Sequence, residues 1–66
     1  MRQYSLVKLT NIKILTQLFV DEMNVFVYFG EIPNMPGHCV VAGFRTGKVY
    51  SGLHTENFVE LSEDEV

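Results

Sequence analysis

Hydrophobic side chains along this chain recur mostly with the two-residue period of β-strands. Residues 4–9 alternate in this way, and residues 25–29 (Val-Phe-Val-Tyr-Phe) are apolar on both faces, as in a buried central strand. Residues 38–44 and 48–53 form two further strand-like runs, and residues 58–61 form a short last one. The pattern therefore predicts a mainly β domain of about five strands.

Turn-forming residues separate these runs. Residues 45–47 (Arg-Thr-Gly) predict a hairpin in which a type I turn is closed by a glycine with positive φ. Residues 31–37 hold two prolines and a glycine and predict a stiff loop. Residues 54–57 predict one turn of 3₁₀-helix with Thr55 as its cap. Short strands joined in this way predict a small SH3-like barrel, whose closure would remove the sheet edges.

Residues 11–23 are compatible with two conformations. A helical stripe contains Leu18, Phe19 and Glu22, whereas Ile12, Ile14, Leu18 and Val20 fit a period of two. In a helix, Asp21 and Glu22 would face the negative end of the macrodipole, which favours a strand or an irregular segment. A short helix within 11–23 remains open. The alternative fold class is α+β with an N-terminal helix.

The chain has 66 residues, and we take residues 1–66 as a single domain. A domain this small buries only about 60% of the surface that its unfolded chain exposes. The lone Cys39 excludes a disulfide within the chain, so a partner surface is the simplest further source of stability. We expect a protein partner, with a homo-oligomer as one form of it. Residues 62–66 are expected to form a solvated acidic tail.

Charge and cysteine content limit the function classes further. The net charge is −3 and the five basic residues are scattered, whereas a nucleic-acid binder gathers bases on one face to meet the phosphates. Nucleic acid is therefore disfavoured as a partner. No run reaches the roughly 20 apolar residues of a membrane span. An unpaired thiol fits a reducing compartment, so we expect a cytoplasmic protein without a membrane span.

His38 and Cys39 are the residues that most resemble a chemical site, with His54, Glu56 or Glu60 as further ligands. Structural zinc sites are built from paired ligand motifs, whereas one cysteine stands here alone. In a strand, His38 and Cys39 also point to opposite faces, which separates a thiol nucleophile from the neighbouring base. We therefore assign no metal ligand, no cofactor and no catalytic residue, and we expect that the protein is not an enzyme.

The function class that remains is a non-catalytic protein-interaction module or a small accessory subunit of a larger assembly. Two prolines restrict residues 31–37 before binding, and Met35 offers an adaptable apolar tip, so docking is predicted there. The predicted partner-binding residues are Tyr28, Ile32, Pro33, Asn34, Met35, Pro36, Tyr50 and His54. Alternatively, the loop only joins two strands and folds Ile32 and Met35 over an open barrel end.

The alternative function is single-stranded nucleic-acid binding through an aromatic platform. The chain has three Tyr and five Phe residues, more than one small core can fully bury. Exposed rings stack on bases irrespective of sequence, and nearby cations hold the phosphates. The basic residues available for this purpose are Lys8, Lys13, Arg45 and Lys48.

The segments Tyr-Ser-Gly at 50–52 and Thr-Glu-Asn-Phe at 55–58, with the terminal Asp-Glu-Val at 64–66, resemble the tail of a known family. It comprises the small SH3-like subunits of photosynthetic electron-transfer complexes, such as the stromal subunit IV of photosystem I. The resemblance covers about the last quarter of the chain, and residues 4–9 lack the family's basic first strand. It implies an SH3-like fold and a non-catalytic subunit that docks on a larger assembly.

Overall fold

A computed structural model describes residues 1–61. Its elements, in chain order, are β1 (Leu6–Leu9), α1 (Thr16–Glu22), β2 (Phe26–Glu31), β3 (His38–Gly43), β4 (Val49–His54), a 3₁₀ turn η1 (Thr55–Asn57) and β5 (Phe58–Glu60). The five strands form one antiparallel sheet in the order β4-β3-β2-β1-β5. The mainly β class predicted from the sequence is confirmed.

The sheet is open, because β4 and β5 each pair on one side only. The closed barrel expected from the sequence is therefore not found among residues 1–61, and two edges remain. The sheet nevertheless curls: the ring of Phe26 on β2 contacts Tyr50 on one edge strand and Phe58 on the other, at centroid distances of 6.3 and 5.7 Å. A bulge at Gly52 (φ 76°) interrupts edge strand β4, which limits pairing with another chain.

Residues 11–23 contain a short helix, so the favoured strand or irregular conformation is wrong for Thr16–Glu22. The acid that counted against a helix is Glu22, and its carboxylate does not face solvent at the helix end. It accepts hydrogen bonds from Thr46 and Tyr50, which offset the unfavourable dipole. The apolar side chains of this segment that pack against the core are Leu15, Leu18 and Phe19.

Each strand differs from its sequence-based run by one or two residues at one end or both, and the backbone explains the largest shifts, at the start of β1 and the end of β2. β1 begins at Leu6, because Tyr4 (φ 66°) lies in a turn where the Ser5 amide and hydroxyl both donate to the Arg2 carbonyl. β2 continues through Gly30 (φ 134°), because a bulge at Phe29 keeps the strand paired with β3. A backbone turn decides the first boundary and a β-bulge the second, and hydrophobic alternation decides neither.

The predicted hairpin and 3₁₀ turn are both present, with small differences. Gly47 has a φ of 77° and donates to the Gly43 carbonyl, so the β3–β4 loop has four residues, 44–47, and not three. Thr55 is the first residue of η1 and not its cap; His54 stands in the capping position, and its side chain makes no capping bond.

One face of the sheet is packed and the other is open. The core consists of Val7, Leu9, Phe26, Tyr28, Cys39, Val41 and Phe58. Alternate residues of the same strands point to the outer face. Neither helix in this part of the chain has the length and apolarity that a membrane crossing requires. The acidic tail predicted at 62–66 lies outside the described residues.

Candidate functional site

The eight predicted partner-binding residues do not form one surface. Tyr28 is 5% exposed and belongs to the core, so its predicted place in a docking surface is wrong. Tyr50 is half-buried, and its hydroxyl is bonded to Glu22. His54 and residues 32–36 lie together at the opposite end of β3 and β4 from the 44–47 hairpin loop. We call residues 32–37 the proline loop.

The proline loop is built from two consecutive turns with proline in the second position of each. The Met35 amide donates to the Ile32 carbonyl at 3.0 Å, and the His38 amide donates to the Met35 carbonyl at 3.0 Å. Gly37, at φ 79°, occupies the third position of the second turn, where a type II turn requires positive φ. The sequence-based prediction of a stiff loop is thus explained by the backbone.

Two further hydrogen bonds fasten this loop to the sheet. The Ile32 amide donates to the His38 carbonyl at 2.9 Å and closes the loop at its base. The Thr55 amide donates to the Gly37 carbonyl at 2.8 Å and ties the loop to η1. Residues 33–37 remain exposed, with Met35 at 42%. The result is an exposed segment whose conformation is largely fixed by backbone hydrogen bonds within the protein.

Beside the loop, His38 and His54 form a directly opposed cross-strand pair, which we call the histidine pair. Their ring centroids are 4.4 Å apart and their planes are tilted by 41°. His38 Nδ1 lies 3.1 Å from the Pro36 carbonyl, so the proline loop orients the ring. Both histidines lie on the outer face, away from Cys39.

The other residues considered for chemistry lie elsewhere. Cys39 is fully buried in the core, and burial raises the pKa of its thiol, with the Thr55 hydroxyl opposing this. A reactive thiol needs the opposite shift. The Thr55 oxygen, buried itself, has no partner of full hydrogen-bond geometry, so we regard that contact as weak. Glu60 accepts a hydrogen bond from the Arg2 amide at 2.6 Å, which lowers the pKa of its carboxyl.

Within residues 1–61, no group of three or more His, Cys, Asp or Glu side chains converges as a metal site, and no pocket is enclosed.

One polar cluster was missed by the sequence reasoning. Glu22 is 0% exposed, and its carboxylate accepts hydrogen bonds from the Thr46 amide at 3.1 Å, from the Thr46 hydroxyl and from the Tyr50 hydroxyl at 2.8 Å. Gly43 leaves the space for it, since a Cβ there would lie 2.1 Å from the carboxyl carbon. The cluster fastens α1 to the β3–β4 hairpin.

These contacts keep the carboxylate ionised. The Thr46 hydroxyl bond holds the pKa of Glu22 below its ordinary value, although burial opposes it, and the same carboxylate raises the pKa of Tyr50. With its donors in place and no pocket beside it, Glu22 has a structural role. The signal in the sequence for this cluster was the position of Glu22 on the apolar stripe of a possible helix. A carboxylate buried there needs hydrogen-bond donors from elsewhere in the fold.

The outer face of the sheet is apolar where an antiparallel sheet usually presents polar side chains. Leu6, Val27, Ala42 and Val49 stand opposite one another across four strands. Next to this row, the Phe44 amide donates to the Val25 carbonyl at 3.0 Å. We define the outer patch as the central part of this face, formed by Val25, Val27, Ala42, Phe44 and Val49. None of its five side chains is part of the core cluster.

The groups required for nucleic-acid binding are not gathered on one surface. Phe26, Tyr28 and Phe58 lie in the core. The Arg45 guanidinium donates to the Asp21 carbonyl at 3.0 Å. The aromatic platform therefore has no specific support in this geometry.

Comparison with protein-family models, with curated proteins and with solved structures finds no match to this chain. The resemblance of residues 50–58 to photosynthetic SH3-like subunits stays a prediction. Any function must therefore be argued from the geometry of the chain itself.

Proposed function

We propose that this protein is a non-catalytic protein-interaction module, an accessory subunit that docks on a larger assembly through the proline loop and His54. The observation that carries the proposal is the loop itself, because it is exposed and yet hydrogen-bonded at both turns and at its base. The strand order, with a 3₁₀ turn before the last strand, supports an SH3-like description of the fold. The unpaired, buried Cys39 supports a reducing, cytoplasmic location.

A preformed loop favours binding because little conformational entropy is lost when it docks. Pro33 and Pro36 fix φ at two positions, and Gly37 is already in the conformation that the second turn needs. Met35 supplies an apolar, adaptable side chain at the tip, 42% exposed. The loop contains no charged residue, so we expect a partner surface with an apolar recess and hydrogen-bonding groups at its rim.

The test is to compare capture of partners from the native host by the wild-type chain and by a variant carrying Asn34→Ala and Met35→Ala. Truncating a binding hot spot costs at least about 2 kcal/mol, or roughly thirty-fold in affinity. We expect the variant to lose its specific partner while its thermal midpoint is unchanged. The matched control is Ile14→Ala, which shortens another exposed apolar side chain, 70% exposed, outside the loop.

Two results would contradict this proposal. A lower thermal midpoint with unchanged capture would mean that the loop serves the core and that Met35 is a structural residue. Equal capture by the wild type, the loop variant and the control, at equal stability, would place docking on another surface.

We propose, as a separate contact, that a second copy of the chain covers the outer patch. Next to the patch, the Arg45 guanidinium is bonded to the backbone carbonyl of Asp21, and the charge of Lys48 acts on the Glu22 carboxylate. Phe44, the first residue of the 44–47 loop, is 63% exposed, whereas the small Ala42 side chain near the end of β3 is 8% exposed. A two-fold axis between them would seat each Phe44 ring over the partner's Ala42 in an isologous contact.

The outer patch has five residues, whereas a standard interface has roughly 20–30 residues a side, so the association should be weak and reversible. Sedimentation velocity over a wide concentration range tests it, with Val49→Lys expected to abolish the dimer and Val49→Thr, which keeps the shape, expected to weaken it less. A wild-type chain that stays monomeric at the highest concentration would overturn this contact and leave docking through the proline loop unaffected.

A further inference from the structure

The histidine pair brings two imidazole rings together on neighbouring strands. His38 and His54 are directly opposed on β3 and β4, and their ring centroids are 4.4 Å apart. Neighbouring side chains on the same face of paired strands can direct their outer atoms toward one point. Two imidazoles arranged in this way can bind one metal ion together, which neither ring would hold strongly alone.

The orientation of His38 supports metal binding independently. Its Nδ1 lies 3.1 Å from the Pro36 carbonyl, which is hydrogen-bond distance for an N–H donor. A histidine that donates through Nδ1 to a backbone carbonyl carries its lone pair on Nε2. Metal-ligating histidines almost always have such a second-shell partner, because it fixes the tautomer and the ring orientation. Pro36 belongs to the hydrogen-bonded proline loop, so the carbonyl that orients His38 is itself held in place.

We propose that His38 and His54 form a two-histidine chelate for a divalent transition-metal ion. Imidazole suits Zn²⁺, Cu²⁺ and Ni²⁺, whereas Mg²⁺ and Ca²⁺ need oxygen ligands, which this site does not provide. No third His, Cys, Asp or Glu ligand converges here among residues 1–61. The remaining coordination positions are therefore open to water or to a donor brought by another molecule.

Binding to this site should stabilise the folded chain, because the two rings are adjacent only when β3 and β4 are paired. A ligand that binds the native state stabilises it in proportion to the logarithm of its concentration over Kd. The expected affinity order follows the Irving–Williams series, with Cu²⁺ above Ni²⁺ and Zn²⁺. The site shares His54 with the proposed docking surface, but metal binding requires only the two rings and is measured without a docking partner.

The experiment is a titration of the full chain with Ni²⁺, with the thermal midpoint as one readout and histidine ring signals in NMR as the second. We expect the midpoint to rise with Ni²⁺ and not with Mg²⁺, and both histidines to respond together. His54→Ala is the main variant, because the His54 side chain makes no capping bond. It should weaken Ni²⁺ binding at least about tenfold, the lower limit seen when supporting metal-site groups are lost. His38→Ala should do the same, and Ser51→Ala, at an exposed position of β4, is the matched control.

Three results would overturn the proposal. A wild-type midpoint that does not respond to Ni²⁺ would show that the rings only stack. An equal response in the wild type and in both histidine variants would place the metal elsewhere, for example at the terminal amine. Loss of binding in one variant alone would show a single ligand and no chelate.

Discussion

Gly43 is the position where the smallest substitution should have the clearest effect. It is buried on β3, and a methyl group added there would lie 2.1 Å from both the carboxyl carbon and one oxygen of Glu22. Ordinary van der Waals contact begins at 3.4 Å, so one of the two groups must move by more than an ångström. The carboxylate has little freedom to do so, because it is bonded to both Thr46 and Tyr50.

The expected magnitude follows from overpacking. An extra methylene in a well-packed interior costs about 1–3 kcal/mol, and the enclosed position of Gly43 places Gly43→Ala in the upper half of that range. For a domain of this size each kcal/mol lowers the thermal midpoint by about 4–8 °C, which predicts a fall of roughly 10–20 °C. Urea denaturation of the variant and of the wild type under the same conditions measures the difference.

The same substitution in a chain that lacks the Glu22 carboxylate tests whether a clash with that carboxylate causes the loss of stability. Gly43 does not have a positive φ, and in such positions replacing glycine with alanine usually stabilises by about 0.4–1 kcal/mol through the unfolded state. In a chain that already carries Glu22→Ala, the new methyl group has room, so Gly43→Ala should no longer destabilise. An unchanged midpoint in the wild-type background, or an equal loss in both backgrounds, would mean that Gly43 is not the space that Glu22 requires.

The remaining predictions concern the same fold. The folded-state pKa of Glu22 is lowered below 4.5, so the stability that this carboxylate contributes is present above that pH and is lost as the pH falls through the folded-state pKa. Glu22→Gln should therefore be less stable than the wild type at pH 7 and should lose less stability in acid. Urea midpoints of both proteins, measured at pH 7 and in acid, test this. Gly47→Val should cost more than about 1 kcal/mol, because a β-branched residue disfavours a φ of 77°; unchanged unfolding would mean that this conformation is not needed. Cys39 should resist a thiol reagent in the native state, because burial raises the pKa of its thiol; labelling as fast as that of the unfolded chain would contradict its place in the core.

Most of the correctly predicted fold features depend on conformational preferences of neighbouring residues. The hairpin closed by Gly47 and the stiff turns around Pro33 and Pro36 depend on φ preferences that act within a few residues, so they can be derived from the sequence. The helix Thr16–Glu22 could not be derived in this way. Its deciding contacts come from Thr46 and Tyr50, which are 24 and 28 residues away from Glu22.

The candidate site was predictable only in part, because it too depends on contacts between residues that are distant in sequence. Residues 25–29 are apolar at every position, so the pattern has no phase that tells which side chains face the core. The pattern therefore does not exclude Tyr28 from a docking surface, whereas the structure buries this side chain, and the bulge at Phe29 shifts the register after it. The opposition of His38 and His54 depends equally on the β3–β4 register, which includes a second bulge, and no local signal fixes it.

The local turns stiffen the proline loop, and a part of the chain that is distant in sequence fixes its position on the sheet. The η1 turn lies between the loop and β1: the Thr55 amide donates to Gly37 on one side, and the Asn57 carbonyl accepts from the Thr10 amide at 2.7 Å on the other. Phe58 follows directly and enters the core against Phe26, which anchors the turn. A displacement of the loop therefore strains the connection between β4 and β5, and through it the pairing of β5 with β1. This coupling explains how so small a domain holds the exposed proline loop and the adjoining histidine pair in one conformation.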